Sequence, residues 1–350
     1  MTFFLGSGSS GPCGSGGRPS AHQFRRLLLT VGVLLMGLGL VMLPETPWWH
    51  RHFDPAFEVV SVKKGDAVGT LGFASHFAVD QLTSYRVGGA QGLDIPLSVI
   101  EYRNEAGKVE NVTVYPDQKS GGSALASNPR MNLWVTAAEA ILRHASPEAL
   151  YLTWWDNAQR IHFLTGENTS PRLPAAESLS DQTLSDFWKI AAGGISENPE
   201  ASRQLAKWLT MDAARALPLI QSRLKSANPL YLLACVDDLA RLGEIERLSG
   251  VSIPLDVRYF PAGEDLHAQI KAVRRWASEG GDEANYLVQP VIGGGLRAWR
   301  VTRPEASNLL LIRLLPFSKS LEHPLEGTRM VYQSLWGGYI TIHEVLSALP

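Results

Sequence analysis

The most unusual stretch of the chain is LTWWDNAQRI, residues 152–161. An apolar run that predicts a β-strand ends within it, and the residues that follow have helical spacing. Open α/β sheets bind ligands beyond the carboxyl ends of their strands. Trp155 could stack there on a planar or sugar-like ligand, and Asp156 could hold a cation. Together with Asn157 and Arg160, these residues form our candidate ligand or partner edge.

A structural explanation of the same residues is also open. Asp156 could cap the helix, Trp154 could lie in the core, and Arg160 could lie on the surface of the first turn. We expect Trp155 to be an exposed aromatic anchor, which contributes more to binding than to the core. A buried tryptophan would behave oppositely, since its loss costs about 3–5 kcal/mol of stability.

A second acidic position follows another predicted strand. Residues 230–236 are apolar, and Asp237 and Asp238 come directly after them. If this strand and the one before Asp156 are parallel in one sheet, their carboxyl ends share an edge. Paired carboxylates at such an edge can bind a divalent cation, as in glycosyltransferases that hold a nucleotide diphosphate. Alternatively, one carboxylate caps a helix and the other interacts with its dipole.

Complete catalytic and cofactor motifs are missing from the sequence. It has no CxxCH haem-attachment motif, no HExxH, no GxSxG and no phosphate-binding glycine loop. The two cysteines, Cys13 and Cys235, lie on either side of a long apolar segment, so they cannot pair if that segment spans a membrane. We therefore predict no cofactor, no metal and no disulfide, and interpret Cys235 as a core residue.

The composition is that of a folded protein without a nucleic-acid partner. Of 350 residues, 45% are hydrophobic and 19% are charged, which is globular composition. The net charge is −2, and the first 44 residues hold three arginines and no acid, so the remainder is mildly acidic. A mildly acidic domain without a basic run is poorly suited to bind nucleic acid.

An uncharged apolar run, residues 27–43, predicts a transmembrane helix near the short end of the spanning range. Arg25 and Arg26 precede it and Glu45 follows, so the positive-inside rule places residues 1–26 in the cytoplasm as a flexible tail. Residues 44–56 would be an interfacial linker. A cleaved signal peptide is the alternative, although no small-residue cleavage site follows the run.

The remaining pattern predicts an α/β (or α+β) fold with a mixed sheet, preceded by the single N-terminal transmembrane helix. Residues 57–128 are strand-rich, with a hairpin turn at 104–108, and residues 129–350 alternate strands with helices in the exported domain. Gly166 is expected to end the helix that follows Trp155. Residues 309–315 read as a strand and residues 327–349 as partly helical.

Two short segments, YLTWWDNAQRI at 151–161 and SLWGGYI at 334–340, together with the N-terminal anchor, resemble the hydroxylamine oxidation protein HaoB family. In ammonia- and methane-oxidising bacteria that family is encoded beside a multihaem hydroxylamine oxidoreductase. The resemblance implies a single-pass protein of the bacterial inner membrane with a periplasmic domain. It implies an accessory part in hydroxylamine oxidation, with that enzyme or its cytochrome partners, and it supplies no catalytic residues.

Two hypotheses from different classes follow. In the first, the chain is a non-catalytic accessory protein of a periplasmic redox enzyme, anchored in the lipid bilayer through residues 27–43. In the second, it is a type II membrane glycosyltransferase-like enzyme that uses the acidic pair Asp237 and Asp238. Copurification with a multihaem protein favours the first, and nucleotide-sugar binding or a metal requirement favours the second.

Overall fold

The computed structural model describes residues 57–68, 71–88, 94–115, 128–146, 148–180, 184–224, 229–263, 265–279, 284–291 and 295–346. These residues belong to one compact unit, residues 55–350. The predicted tail, anchor and linker lie outside the described residues. Within the described ranges, no helix combines the length and the hydropathy that a membrane crossing requires.

The described strands form three sheets. In chain order they are β1 (Phe57–Lys64), β2 (Val79–Gly88), β3 (Asp94–Arg103), β4 (Val109–Val114), β5 (Leu150–Leu152), β6 (Asn168–Ser170), β7 (Leu230–Cys235), β8 (Leu255–Phe260), β9 (Tyr286–Pro290), β10 (Leu296–Val301), β11 (Thr328–Gln333) and β12 (Ile340–Val345).

Helices separate most of the later strands. They are α1 (Pro129–His144), α2 (Trp155–Thr165), α3 (Ala176–Leu179), α4 (Ser185–Ala191), α5 (Glu200–Leu209), α6 (Ala213–Arg223), α7 (Leu242–Ser249), α8 (Leu266–Ser278), α9 (Leu310–Leu314) and α10 (Ser318–Glu322). Tighter 3₁₀ segments cover Gly65–Val68, Val236–Arg241 and Pro304–Asn308.

The central sheet has five strands in the order β11-β12-β7-β5-β6 and is mixed, as predicted. β5 pairs with β7 in parallel, with Leu152 opposite Leu232, whereas β12 pairs with β7 antiparallel. All six residues of β7 are buried, as expected of a strand covered on both faces. The carboxyl ends of β5 and β7 therefore lie side by side. A helical segment begins three residues after the end of β5 and directly after the end of β7.

The strand-rich segment forms an antiparallel sheet in the order β1-β2-β3-β4, and β8, β10 and β9 form a small antiparallel sheet. The predicted hairpin turn closes with the Asn104 N–H donating to the Lys108 carbonyl at 3.0 Å. α2 packs on β4 and α1, so the first sheet shares a core with the central one. α2 ends at Gly166 as predicted, with φ 77°, and a Cβ there would meet the His76 ring at 2.7 Å.

One element prediction is wrong and a second holds only for a short turn. Residues 309–315 were expected to form a strand, but Leu310–Leu314 is helical with four buried side chains. A short run buried on all sides has no period that separates strand from helix. Residues 327–349 were expected to be partly helical, and only the short turn Leu335–Gly338 is helical. On either side of it, β11 and β12 form a hairpin whose second strand pairs with β7. The extended conformation of β12 is stabilised by its pairing with β7, which lies far earlier in the chain.

Candidate functional site

The predicted edge residues do come together at the ends of β5 and β7. Trp155, Asp156, Asn157 and Arg160 lie in the first turns of α2, and Asp237 and Asp238 open the 3₁₀ segment after β7. The parallel pairing lets Asn157 Nδ2 donate to Asp238 Oδ1 at 2.7 Å. Asp237 is half-buried and the other five residues are buried.

Trp155 corrects our main expectation for this edge. Its side chain is only 1% exposed, so it is a core residue and not an exposed anchor. Its indole N–H donates to Glu244 Oε2 at 2.9 Å, and the neighbouring Trp154 donates to the same oxygen at 3.1 Å. A buried carboxylate thus satisfies both indoles, which explains how two tryptophans fit at a strand end.

Glu244 also forms a buried ion pair with Arg241. Arg241 Nη1 donates to Glu244 Oε1 at 2.9 Å, and its other terminal nitrogen contacts Asp156 Oδ2 at 3.5 Å. The guanidinium group lies over the Trp188 ring at 3.8 Å and the Trp155 ring at 5.1 Å. Burial alone would lower the pKa of Arg241, but Glu244 and Asp156 raise it, so the group stays charged inside the fold.

Arg160 lies in the interior, so the surface position considered for it is wrong. It is 1% exposed, its Nε donates to the Thr113 carbonyl at 3.1 Å, and its Nη1 donates to Asn157 Oδ1 at 3.0 Å. The guanidinium lies 4.6 Å from the centre of the Trp134 ring. Because Arg160 occupies the amide oxygen of Asn157, the amide nitrogen is directed at Asp238.

Asp156 does not cap α2, because the residue at the N-cap is Trp154, without a side-chain cap bond. Asp156 Oδ1 instead accepts from the N–H of Asn157 at 3.0 Å. Asp238 is the carboxylate that engages a helical start: its Oδ2 accepts from the N–H of Cys235 at 2.8 Å. Cys235 is buried, as predicted, and burial first, then Asp237 and Asp238, raises the pKa of its thiol.

Asp237 joins four separate parts of the fold. Tyr339 and Tyr115 donate their hydroxyls to it at 2.6 and 3.1 Å, and Gln289 Nε2 donates at 3.2 Å. Arg130 Nη1, at the start of α1, lies 3.8 Å away. Burial and the charge of Asp237 raise the pKa of Tyr339, so its hydroxyl stays a donor. Through these hydrogen bonds, Asp237 links the residue before β12 to the residue after β4 and to β9.

The arrangement is suited to internal pairing and not to holding a metal. Within the described residues, no group of three or more His, Cys, Asp or Glu side chains is placed to coordinate an ion. The oxygens of Asp237 and Asp238 accept hydrogen bonds from the protein itself. The absence of a cofactor stays a prediction.

The sequence reasoning missed Glu244, Arg241, Tyr115, Tyr339 and Arg130. Arg241 and Glu244 are three residues apart around the start of α7, a spacing that usually indicates a solvent-exposed ion pair. Tyr115 and Tyr339 are separated from Asp237 by more than one hundred positions. No local pattern could have connected them.

Asp238 is expected to make stability depend on pH. Burial and then the charge of Asp156 raise its pKa from 3.8 to about 8. Between about pH 4 and pH 8 the folded protein keeps a proton that the unfolded chain releases, so stability falls as pH rises, by about 1.4 kcal/mol per unit. In urea unfolding across this window, the free-energy difference between wild type and Asp238→Asn should fall with that slope. A difference that does not vary with pH would contradict the assignment.

Wild type must be compared with Asp238→Asn because His343 changes the pH dependence of stability in the opposite direction. Burial and then Arg313 lower the pKa of His343 to about 4, so the folded protein lacks a proton that the unfolded chain binds below about pH 6.5. Its contribution therefore rises between about pH 4 and 6.5 and offsets that of Asp238. Asp238→Asn also adds a constant loss, since its amide nitrogen must face the donor of Cys235 or of Asn157.

The fold and the site define a mixed α/β protein with a buried, internally paired cluster of acids and arginines at the carboxyl edge of its central sheet. The chain belongs to the HaoB family: the family model described as HaoA-associated protein HaoB matches residues 24–345. The resemblance seen in the sequence is thereby confirmed. No curated protein matches the chain.

Proposed function

We propose that this chain is a membrane-anchored, periplasmic accessory protein that acts with HaoA, a hydroxylamine oxidoreductase, and has no catalytic role of its own. The observation that carries the proposal is the family match over residues 24–345, since the family is described as HaoA-associated. The match also includes the apolar run at 27–43. Arg25 and Arg26 before that run and Glu45 after it support a cytoplasmic N-terminus.

The charge balance of the buried cluster supports a structural use of its acids. Four carboxyl groups, those of Asp156, Asp237, Asp238 and Glu244, lie with three guanidinium groups, those of Arg130, Arg160 and Arg241. Burial raises the pKa of Asp238 to about 8, so at neutral pH this carboxyl keeps its proton and adds no negative charge to the interior. A buried cluster is stable when its charges are paired and hydrogen-bonded in this way.

The same contacts weaken the glycosyltransferase hypothesis. That enzyme class would need carboxylate oxygens free to bind a cation. Here Asp238 accepts from Cys235 and Asn157, and Asp237 accepts from two tyrosines and a glutamine. A rise in melting temperature on addition of a nucleotide sugar with Mn²⁺ would favour the enzyme.

One binding experiment tests partner and topology together. Purified HaoA is added to spheroplasts, whose outer membrane is removed and inner membrane intact, with or without the full chain. We expect HaoA to bind only the spheroplasts that carry the chain, because the domain would face the medium. Binding only after lysis would show that the domain faces the cytoplasm. No binding to intact or lysed spheroplasts that carry the chain would refute the proposed function. Loss of binding after deletion of residues 27–43 serves as the anchor control.

A further inference from the structure

The tip of the β11–β12 hairpin presents two large apolar side chains to solvent. Leu335 is 78% exposed and Trp336 is 46% exposed. Met330 and Val331, on the edge strand β11 that leads to the tip, are exposed as well. Contiguous exposed apolar side chains mark interaction sites on soluble surfaces, whereas single ones need no explanation, and Leu335 and Trp336 are adjacent in the chain.

The backbone of the tip is strained at the tryptophan. Trp336 has φ 62° and ψ 39°, and it is the one non-glycine residue with positive φ among the residues that the structure describes. A bulky side chain disfavours this conformation, and such strain persists where function uses it. The two glycines that follow also have positive φ, at 70° and 97°.

The tip is nevertheless held firmly. Ser334 N–H donates to the Ile340 carbonyl at 2.9 Å, and Ser334 Oγ accepts from the Ile340 N–H at 2.8 Å. A Cβ at Gly338 would meet Gln333 Nε2 at 2.7 Å, so the turn is closely packed. The Trp336 ring lies edge-on to Tyr339, 5.7 Å away, and Tyr339 is bonded to Asp237. The apolar tip is therefore pre-organised, which lowers the entropy cost of binding.

The charge of the hairpin restricts what can bind it. Residues 327–345 carry one arginine and one acid, Arg329 and Glu344, and these two pair with each other at 3.1 Å. A surface that binds anionic lipid headgroups carries lysine or arginine beside its apolar residues. The hairpin has no such excess of basic residues, so its charge favours an uncharged apolar protein surface over an anionic bilayer.

We propose that Leu335 and Trp336 are the residues by which this chain docks on HaoA, inserting into an apolar pocket of that enzyme. This inference rests on the proposed function and names the surface that performs it. Tryptophan is one of the residues most enriched in binding hot spots, so Trp336 is expected to supply more of the binding energy than Leu335.

Two variants separate a binding role from a structural one. Trp336→Gly removes the side chain and relieves the positive φ, so its melting temperature should equal or exceed that of wild type. Its dissociation constant for HaoA should nonetheless rise at least about tenfold, and Leu335→Ser should act likewise. Leu142→Ser, at a leucine 57% exposed on α1, is the matched control and should bind as wild type. Unchanged affinity in both tip variants would overturn the docking site.

A fluorescent label at the tip distinguishes HaoA from two alternative binding partners, the lipid bilayer and a second copy of the chain. Leu335→Cys in a Cys13→Ser background carries an environment-sensitive fluorophore, and the full chain is placed in lipid nanodiscs. A blue shift on adding HaoA supports the docking site. A blue shift before HaoA is added means that the bilayer covers the tip, and one that depends on the chain's own concentration means that a second copy does; either overturns it. If the wild-type chain fails to bind HaoA at all, the proposed function itself fails.

Discussion

Glu244→Ala is expected to destabilise the protein by at least about 3–5 kcal/mol, the usual cost of breaking a buried ion pair. The substitution removes the acceptor shared by Trp154, Trp155 and Arg241. Two indole N–H groups then lose their partner in the interior, which adds to the loss. For a folded unit that spans residues 55–350, this loss corresponds to a fall in melting temperature of at least about 5–8 °C.

Glu244→Gln should be nearly as harmful, although it preserves the volume. Its amide oxygen can still accept from the indoles, but its amide nitrogen faces the donor Arg241 Nη1. Glu305→Ala, at an exposed acid, is the control and should change stability by less than about 0.5 kcal/mol. Thermal unfolding of the three variants tests this prediction. Native-like melting of Glu244→Ala would mean that the buried contacts of Glu244 do not stabilise the fold.

Trp155→Ala should destabilise the protein by about 3–5 kcal/mol, as other large-to-small core substitutions do. The indole fills the space between Arg241, 5.1 Å from its ring, and Trp188, whose ring centre is 6.3 Å away. Trp155→Phe keeps most of this packing and loses the bond to Glu244, so it should cost about 1–2 kcal/mol.

Trp336→Ala is the matched control for this experiment, because Trp336 is 46% exposed and Trp155 is 1% exposed. We expect near-native melting for the former and a large loss for the latter in the same unfolding assay. If Trp155→Ala melts like wild type but no longer binds a partner, the hypothesis of an exposed binding edge at Trp155 would be supported again.

Local patterns were sufficient for the elements that position the candidate site. Richness in β-branched and aromatic residues predicted the strand-rich segment that holds β1, β3 and β4, and the glycine after residue 165 predicted the end of α2. Two apolar runs before Asp156 and Asp237 predicted strands, and the parallel pairing that was considered for them is the pairing of β5 with β7. These features depend on backbone preferences and periodicity, which neighbouring residues specify.

The sequence by itself determined the family, through YLTWWDNAQRI and SLWGGYI, and the class of fold, with its mixed sheet. Only the tertiary structure decided which side chains of the candidate site are buried. The sequence left Trp155 open between an exposed anchor and the core, and it placed Arg160 at the edge or on the surface, because a short polar helix start has no period that assigns a face. Their burial depends on Glu244 and Thr113, which come from distant parts of the chain. A buried charge is tolerated only where such partners converge, and chain proximity alone does not reveal that convergence.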